Sequence, residues 1–141
     1  MPEHAANFRD LIVYQKANAV AKEVFILSQR FPREETYALA DQVRRSSRSV
    51  GAQIAEAWGK RRYERHFVSK LTDADGEQYE TQHWLDIALE CGYVTREEAE
   101  RLNDGLAQVG RMLNSMMNKA ASFCGDTCST INEDSATYFT P

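Results

Sequence analysis

The chain is 141 residues long, one domain's worth at roughly 150 residues per domain, and at that size about two thirds of the unfolded surface can be buried. Hydrophobic residues at 43%, charged residues at 27% and only seven Gly and three Pro exclude a disordered or collagen-like chain, and no apolar run approaches the ~20 residues of a membrane span. The formal charge is −4, and the start, Met1 to Asn7, has neither the basic residues nor the apolar stretch of a secretory signal, so the expected location is cytoplasmic.

A 3.6-residue period recurs in four blocks with no competing block of strict alternation, so the chain is expected to be all-helical. In the first block Val13, Ala17, Val20, Val24, Leu27 and Phe31 step by four and three onto one face, and Pro32 ends the helix by disfavouring helical geometry at the residue before it. The second block carries Leu39, Val43, Ser46, Val50, Ile54 and Ala57, with Ser47, Ser49, Gly51, Ala52 and Ala55 around them. Those small residues let another helix approach closely. Gly59 is expected as a left-handed C-terminal cap, followed by the basic connection Lys60-Arg61-Arg62. The third block runs from about Tyr63 to Cys91 with Phe67, Leu71, Ala74, Gln78, Leu85 and Ala88 inward, and its middle is polar for a core helix. Gly92 reads as its cap. Thr95-Arg96-Glu97-Glu98 is a capping box that starts a fourth helix with the stripe Leu102, Leu106, Val109, Leu113, Met116 and Ala120, continuing to about Ser122.

From Phe123 to Pro141 the period stops and Ser, Thr, Asp, Asn and Gly dominate without Lys or Arg, so residues 123–141 are expected as a flexible polar tail after a bundle domain at 1–122. Helices of 20 to 28 residues reach ~30 to 42 Å at 1.5 Å per residue, and short loops make neighbours antiparallel. The expected architecture is an up-down-up-down four-helix bundle. Cys91, Cys124 and Cys128 form no Cys-x-x-Cys pair and fit a reducing compartment, with Cys124 and Cys128 read as two free thiols in the tail and a bridge between them under oxidation as the other option.

Several segments together are family-specific: Phe8-x-Asp10-Leu11-x-Val13-Tyr14-Gln15-Lys16-Ala17, Phe31-Pro32-x-x-Glu35-x-Tyr37-x-Leu39, Gln42-Val43-Arg44-Arg45, Ser49-Val50-Gly51-Ala52-Gln53-Ile54-Ala55-Glu56-Ala57, then Phe67, Leu71, Ala74, Gly76 and Glu80. Over roughly residues 8 to 120 the chain resembles the four-helix bundle proteins encoded in intervening sequences of bacterial 23S ribosomal RNA. That resemblance implies a small bacterial bundle assembled as a homopentamer. It also implies kinship with the accessory variability proteins of diversity-generating retroelements, pentamers associated with nucleic acid and a reverse transcriptase. It carries no catalytic residue across. Gly51, Gln53 and Ala57 depart from the family pattern in the second block, and Glu77, Gln78 and Thr81 depart from it in the third, which they leave more polar than usual.

Charge is segregated along the chain. Residues 1–70 hold 13 Lys and Arg against 8 Asp and Glu, whereas residues 71–141 hold 4 against 13. Arg44, Arg45, Arg48, Lys60, Arg61, Arg62, Arg65 and Lys70 crowd into residues 42–70 with only Glu56 and Glu64 against them, and the first seven are the candidate nucleic-acid-binding residues. Such a patch neutralises phosphates, with Tyr63, His66 or Trp58 available to stack on unpaired bases. Two structural readings stand beside it. Asp41 with Arg45 and Glu56 with Lys60 have the i, i+4 spacing of solvated helix pairs, and in a ring the basic face of one subunit can meet the acidic third or fourth helix of the next. A pI near 5.4 weighs against a dedicated nucleic-acid binder.

Glu80-x-x-His83 is half of a di-iron carboxylate signature, which needs a second copy that this sequence lacks, so His83 is read as a solvated or interface residue. Gly105 and Gly110 mark close backbone approach, and Met112, Met116 and Met117 are core or interface. Tyr14, Trp58 and Trp84 are read as buried within the monomer, with exposed anchors at subunit contacts as the other option. The expectation is a non-enzymatic homo-oligomer with no metal or cofactor, binding RNA or DNA through the basic patch. The alternative is a protein-interaction scaffold or accessory subunit for a partner such as a reverse transcriptase.

Overall fold

A computed structural model describes residues 5–124. Four helices carry the fold: α1 (Ile12–Ser28), α2 (Leu39–Gly59), α3 (Glu64–Glu90) and α4 (Arg96–Asn118). Each packs on two neighbours, α1 on α2 and α4, and α3 on α2 and α4, which is the up-down-up-down bundle. The inward stripes are those of the periodicity: Val13, Ala17, Val20, Val24 and Leu27 on α1, the whole Leu39 to Ala57 stripe on α2, and Leu102 to Met116 on α4 are buried.

The core divides into two halves. Towards one end Leu11, Val13 and Ala17 meet Ile54, Ala57, Phe67, Leu71, Leu113 and Met116. Towards the other, Val24 and Leu27 meet Leu39, Val43, Leu85, Val94, Leu102 and Leu106. Between α2 and α3 lies a polar seam. Ser46 Oγ and Thr81 Oγ1 are 2.8 Å apart, and both residues are buried. Gln78, 1% exposed, donates to Asp75 Oδ1 at 2.9 Å and accepts from Gln82 Nε2 at 2.7 Å. A Cβ on Gly110 would stand 2.8 Å from Gln78 Nε2, so only glycine leaves α4 room beside this amide, the close approach expected there. A Cβ on Gly51 would stand 2.6 Å from Oδ1 of the exposed Asn18 side chain, which would have to swing aside to admit it.

Several local expectations are corrected. Gly59 stays helical and the cap is Lys60 at φ −109°, because the chain turns into α3 without a left-handed residue. Gly92 does take that role, at φ 77°. The link from α1 to α2 is ten residues long rather than short, and contains a 3-10 turn, Arg33–Glu35, behind Pro32. A second 3-10 turn, Phe8–Asp10, precedes α1 and is closed by a capping box between Asn7 and Asp10. After a break at Lys119 the chain makes another helical turn up to Cys124. The bundle therefore continues past residue 122: Phe123 stacks on Phe67 with ring centroids 5.7 Å apart, and Cys124 is 1% exposed, because both side chains are apolar enough to join the core. Cys124 is thus a core thiol, while Cys128 and the rest of the expected tail lie outside the described residues.

Candidate nucleic-acid interface

The fold splits the seven sequence-nominated cations into two groups. Arg44, Arg45 and Arg48 lie on the first half of α2, while Lys60, Arg61, Arg62 and Arg65 lie where α2 turns into α3. From Arg48 to Lys60 the helix advances twelve residues, about 18 Å at 1.5 Å per residue.

In the first group, Arg44 Nε donates to Ser28 Oγ at 2.6 Å, and the guanidiniums of Arg44 and Arg48 lie 4.9 and 5.0 Å from the centroid of the Phe25 ring. Phe25 falls outside the apolar stripe of α1. Its use is to hold two cations of α2 against α1 through the negative face of its ring. Arg45 is exposed. The expected Asp41–Arg45 pair is not formed.

The second group has more company. The turn lies at the end of the bundle shared by the Phe8–Asp10 turn, the start of α1 and the end of α4. The segments that build this end, residues 5–16, 53–72 and 111–124, hold nine Lys and Arg against three Asp and Glu. A chain of net charge −4 therefore carries a pole of about +6. Arg9, Arg111 and Lys119 join it from distant segments. Sequence runs alone missed them, although the antiparallel topology would have brought them in. The middle of α3, with Asp73, Asp75, Glu77 and Glu80, is by contrast acidic.

Two interactions shape the pole. Arg61 donates from Nε to the Trp58 carbonyl at 2.9 Å and lays its guanidinium 3.6 Å from the indole centroid. Burial pushes its pKa below the ordinary arginine value, with Cys124 acting the other way, and a guanidinium remains charged at any physiological pH. Lys70 pairs with Glu56 across α2 and α3 at 2.8 Å, and reaches Asp73 at 3.6 Å. The Glu56 hydrogen bond raises the Lys70 pKa, and the same bond lowers that of Glu56. Glu56 thus turns to α3 rather than making its expected close pair with Lys60. Lys60 and Arg65, like Arg44, Arg45 and Arg48, have no carboxylate within 4 Å among the described residues. Tyr63, 54% exposed, sits at the head of α3 with its ring edge-on to His66 at 5.4 Å. An open depression of about 380 Å³ lies one turn on, walled by Glu64, Arg65, Val68 and Ser69.

Elsewhere the polar groups are structural. Glu80 accepts from Trp84 Nε1 at 3.0 Å, and His83 lies edge-on to the Trp84 ring, so the Glu-x-x-His pair faces an indole. No group of three or more His, Cys, Asp or Glu is placed to hold a metal among the described residues. Glu77 has its pKa raised, first by burial and then by Glu80, while a hydrogen bond from Ser49 opposes the shift. Among the described residues no helix is long and apolar enough to cross a membrane.

The family model of the 23S rRNA-intervening sequence proteins matches residues 9–115, which is most of the chain and all four helices up to the last turn of α4. The chain belongs to this family. A crystal structure of a protein with unknown function from the S23 ribosomal protein family of Bacteroides thetaiotaomicron is similar to this chain, with a TM-score of 0.68 and 29% identity. The match covers 75% of this chain and 98% of that one, so the helices are shared along their length. No curated protein matches the sequence.

Proposed function

We propose that this chain is a non-enzymatic, cytoplasmic nucleic-acid-binding protein that contacts phosphates with the cations of its basic pole, Lys60, Arg61, Arg62 and Arg65, and acts as a homo-oligomer, with a pentamer as the expected state. The observation that carries the reading is the concentration of positive charge at one end of an acidic chain, with Lys60 and Arg65 lacking carboxylate partners among the described residues. Cations left unpaired at one end of a bundle attract a polyanion, and each phosphate they neutralise releases condensed counterions. The family's description, which refers to intervening sequences of 23S rRNA, agrees with an RNA ligand. A titration of a labelled short RNA at rising salt tests the reading. The logarithm of affinity is expected to fall linearly with that of salt, and Lys60→Gln with Arg65→Gln to flatten the slope by roughly 0.7 per lost single-strand contact. Affinity that ignores salt overturns it.

A second reading, a scaffold that presents a surface to a partner protein such as a reverse transcriptase, is favoured by α1. Ile12 (64% exposed) and Ile26 (52%) lie on its outer face with Ala19 midway, two heptads end to end. A stripe of that spacing suits a helix–helix contact, either with another copy of the chain or with the partner.

A further inference from the structure

We propose that the basic pole takes single-stranded nucleic acid, with the exposed face of Tyr63 as the platform on which an unpaired base stacks. This rests on the phosphate-binding reading and adds the strand type and the residue that senses it. Of the aromatic rings at this end of the bundle, Trp58, Tyr63 and His66 belong to the turn from α2 into α3, and the structure separates them. Trp58 is half-buried and has the Arg61 guanidinium 3.6 Å from its ring centroid, so that face is already covered. His66 is turned onto Tyr63, with the two ring planes 64° apart. Tyr63 remains, 54% exposed, on an extended backbone (φ −126°, ψ 120°) at the N-cap of α3, and its N–H donates to the Lys60 carbonyl at 3.3 Å.

That placement is specific in two ways. The backbone at Tyr63 is held by the turn, and its exposed ring meets His66 edge-on at 5.4 Å. Lys60, Arg62 and Arg65 lie within three residues of it in sequence, with Glu64 the one acid among them, and Lys60 and Arg65, without carboxylate partners among the described residues, supply charge for the flanking phosphates. Base–aromatic stacking adds free energy for any base, because every base has a π face, but only an unpaired base can offer that face. A duplex keeps its bases stacked inside and presents phosphates alone. An open depression walled by Glu64, Arg65, Val68 and Ser69 lies beside Tyr63.

Fluorescence anisotropy with labelled oligo(dT) and oligo(U) of about 12 nucleotides, within the range of single-strand site sizes, and with a duplex of equal length tests the inference. The wild type is expected to favour the single strands. Tyr63→Ala is expected to weaken single-strand binding roughly tenfold with the salt slope unchanged, and Tyr63→Phe, which keeps the ring, to restore it. Lys60→Gln with Arg65→Gln is expected to do the reverse, flattening the slope. Circular dichroism melting checks that Tyr63→Ala folds as the wild type does, as an exposed position allows. Duplex bound as tightly as single strand, with Tyr63→Ala like wild type, overturns the inference and leaves phosphate binding standing. No salt-sensitive binding of either form overturns both.

Discussion

The hydroxyl pair between α2 and α3 shows how a single polar contact fixes a helix interface. Thr81 Oγ1 donates to the Glu77 carbonyl at 2.8 Å, so towards Ser46 it acts as acceptor and Ser46 donates. With Thr81→Val the Ser46 proton is left with only the Val43 carbonyl at 3.4 Å, a poor bond in a buried site. The expected cost is about 1 to 2 kcal/mol, and less for Ser46→Ala, which leaves the Thr81 hydroxyl bonded to its own helix. The double variant Ser46→Ala with Thr81→Val removes both polar groups and is expected to lie closer to wild type than Thr81→Val alone. Urea denaturation of the four proteins measures this coupling, and strict additivity would contradict it. Ser46 was legible as part of the α2 stripe. Its partner was not, because Thr81, though in step with Gln78 and Leu85 on the α3 stripe, is polar and so does not stand out, and nothing in a period says which residue of another helix it meets.

At the scale of the helix, α4 is held at its head by Glu98. Its carboxylate accepts from the Thr95 N–H at 2.9 Å and makes a two-pronged pair with Arg30 from the end of α1, at 2.7 and 3.0 Å. Arg30 first, then the Thr95 backbone, hold its pKa down to about 2 from an ordinary value of 4.5. A carboxylate with a depressed folded pKa contributes stability above the unfolded value and loses it as pH falls through the folded one. Glu98→Gln is therefore expected to be less stable than wild type at pH 7 by about 1 kcal/mol, a modest figure because Arg30 is half exposed to solvent. The gap is expected to narrow between about pH 4.5 and 2 and to close below that. Thermal melts across this range check it, and a gap constant with pH would contradict it. The capping box was readable from Thr95 and Glu98 three apart, as were the four helices from their apolar periods. The Arg30 pair was not, since it joins residues 68 apart in sequence. The 3-10 turns also escaped, because three residues are too few for a period. So did the helical conformation of Gly59, since whether a glycine must be left-handed depends on where the chain goes next, whereas Gly92 was readable as the left-handed cap it is.

For the whole molecule the decisive property is the uneven charge. The sequence showed a basic half and an acidic half, and the bundle's topology turned part of that difference into a pole. Lys60 to Arg65 were legible as a run, and the structure keeps them together at the turn. Arg44 and Arg48 stood near them in sequence, yet they lie about 18 to 24 Å along the helix from Lys60 and are clasped to Phe25. Charge reversal at Arg44 and Arg48 would therefore disturb the α1–α2 contact, whereas changes at Lys60 and Arg65 leave packing intact. The most direct test of the account is light scattering of the purified protein, with and without a short RNA, at low and at physiological salt. The account predicts an oligomer whose mass rises with RNA at low salt and loses that gain as salt increases. An oligomer of unchanged mass with RNA at both salts would contradict it.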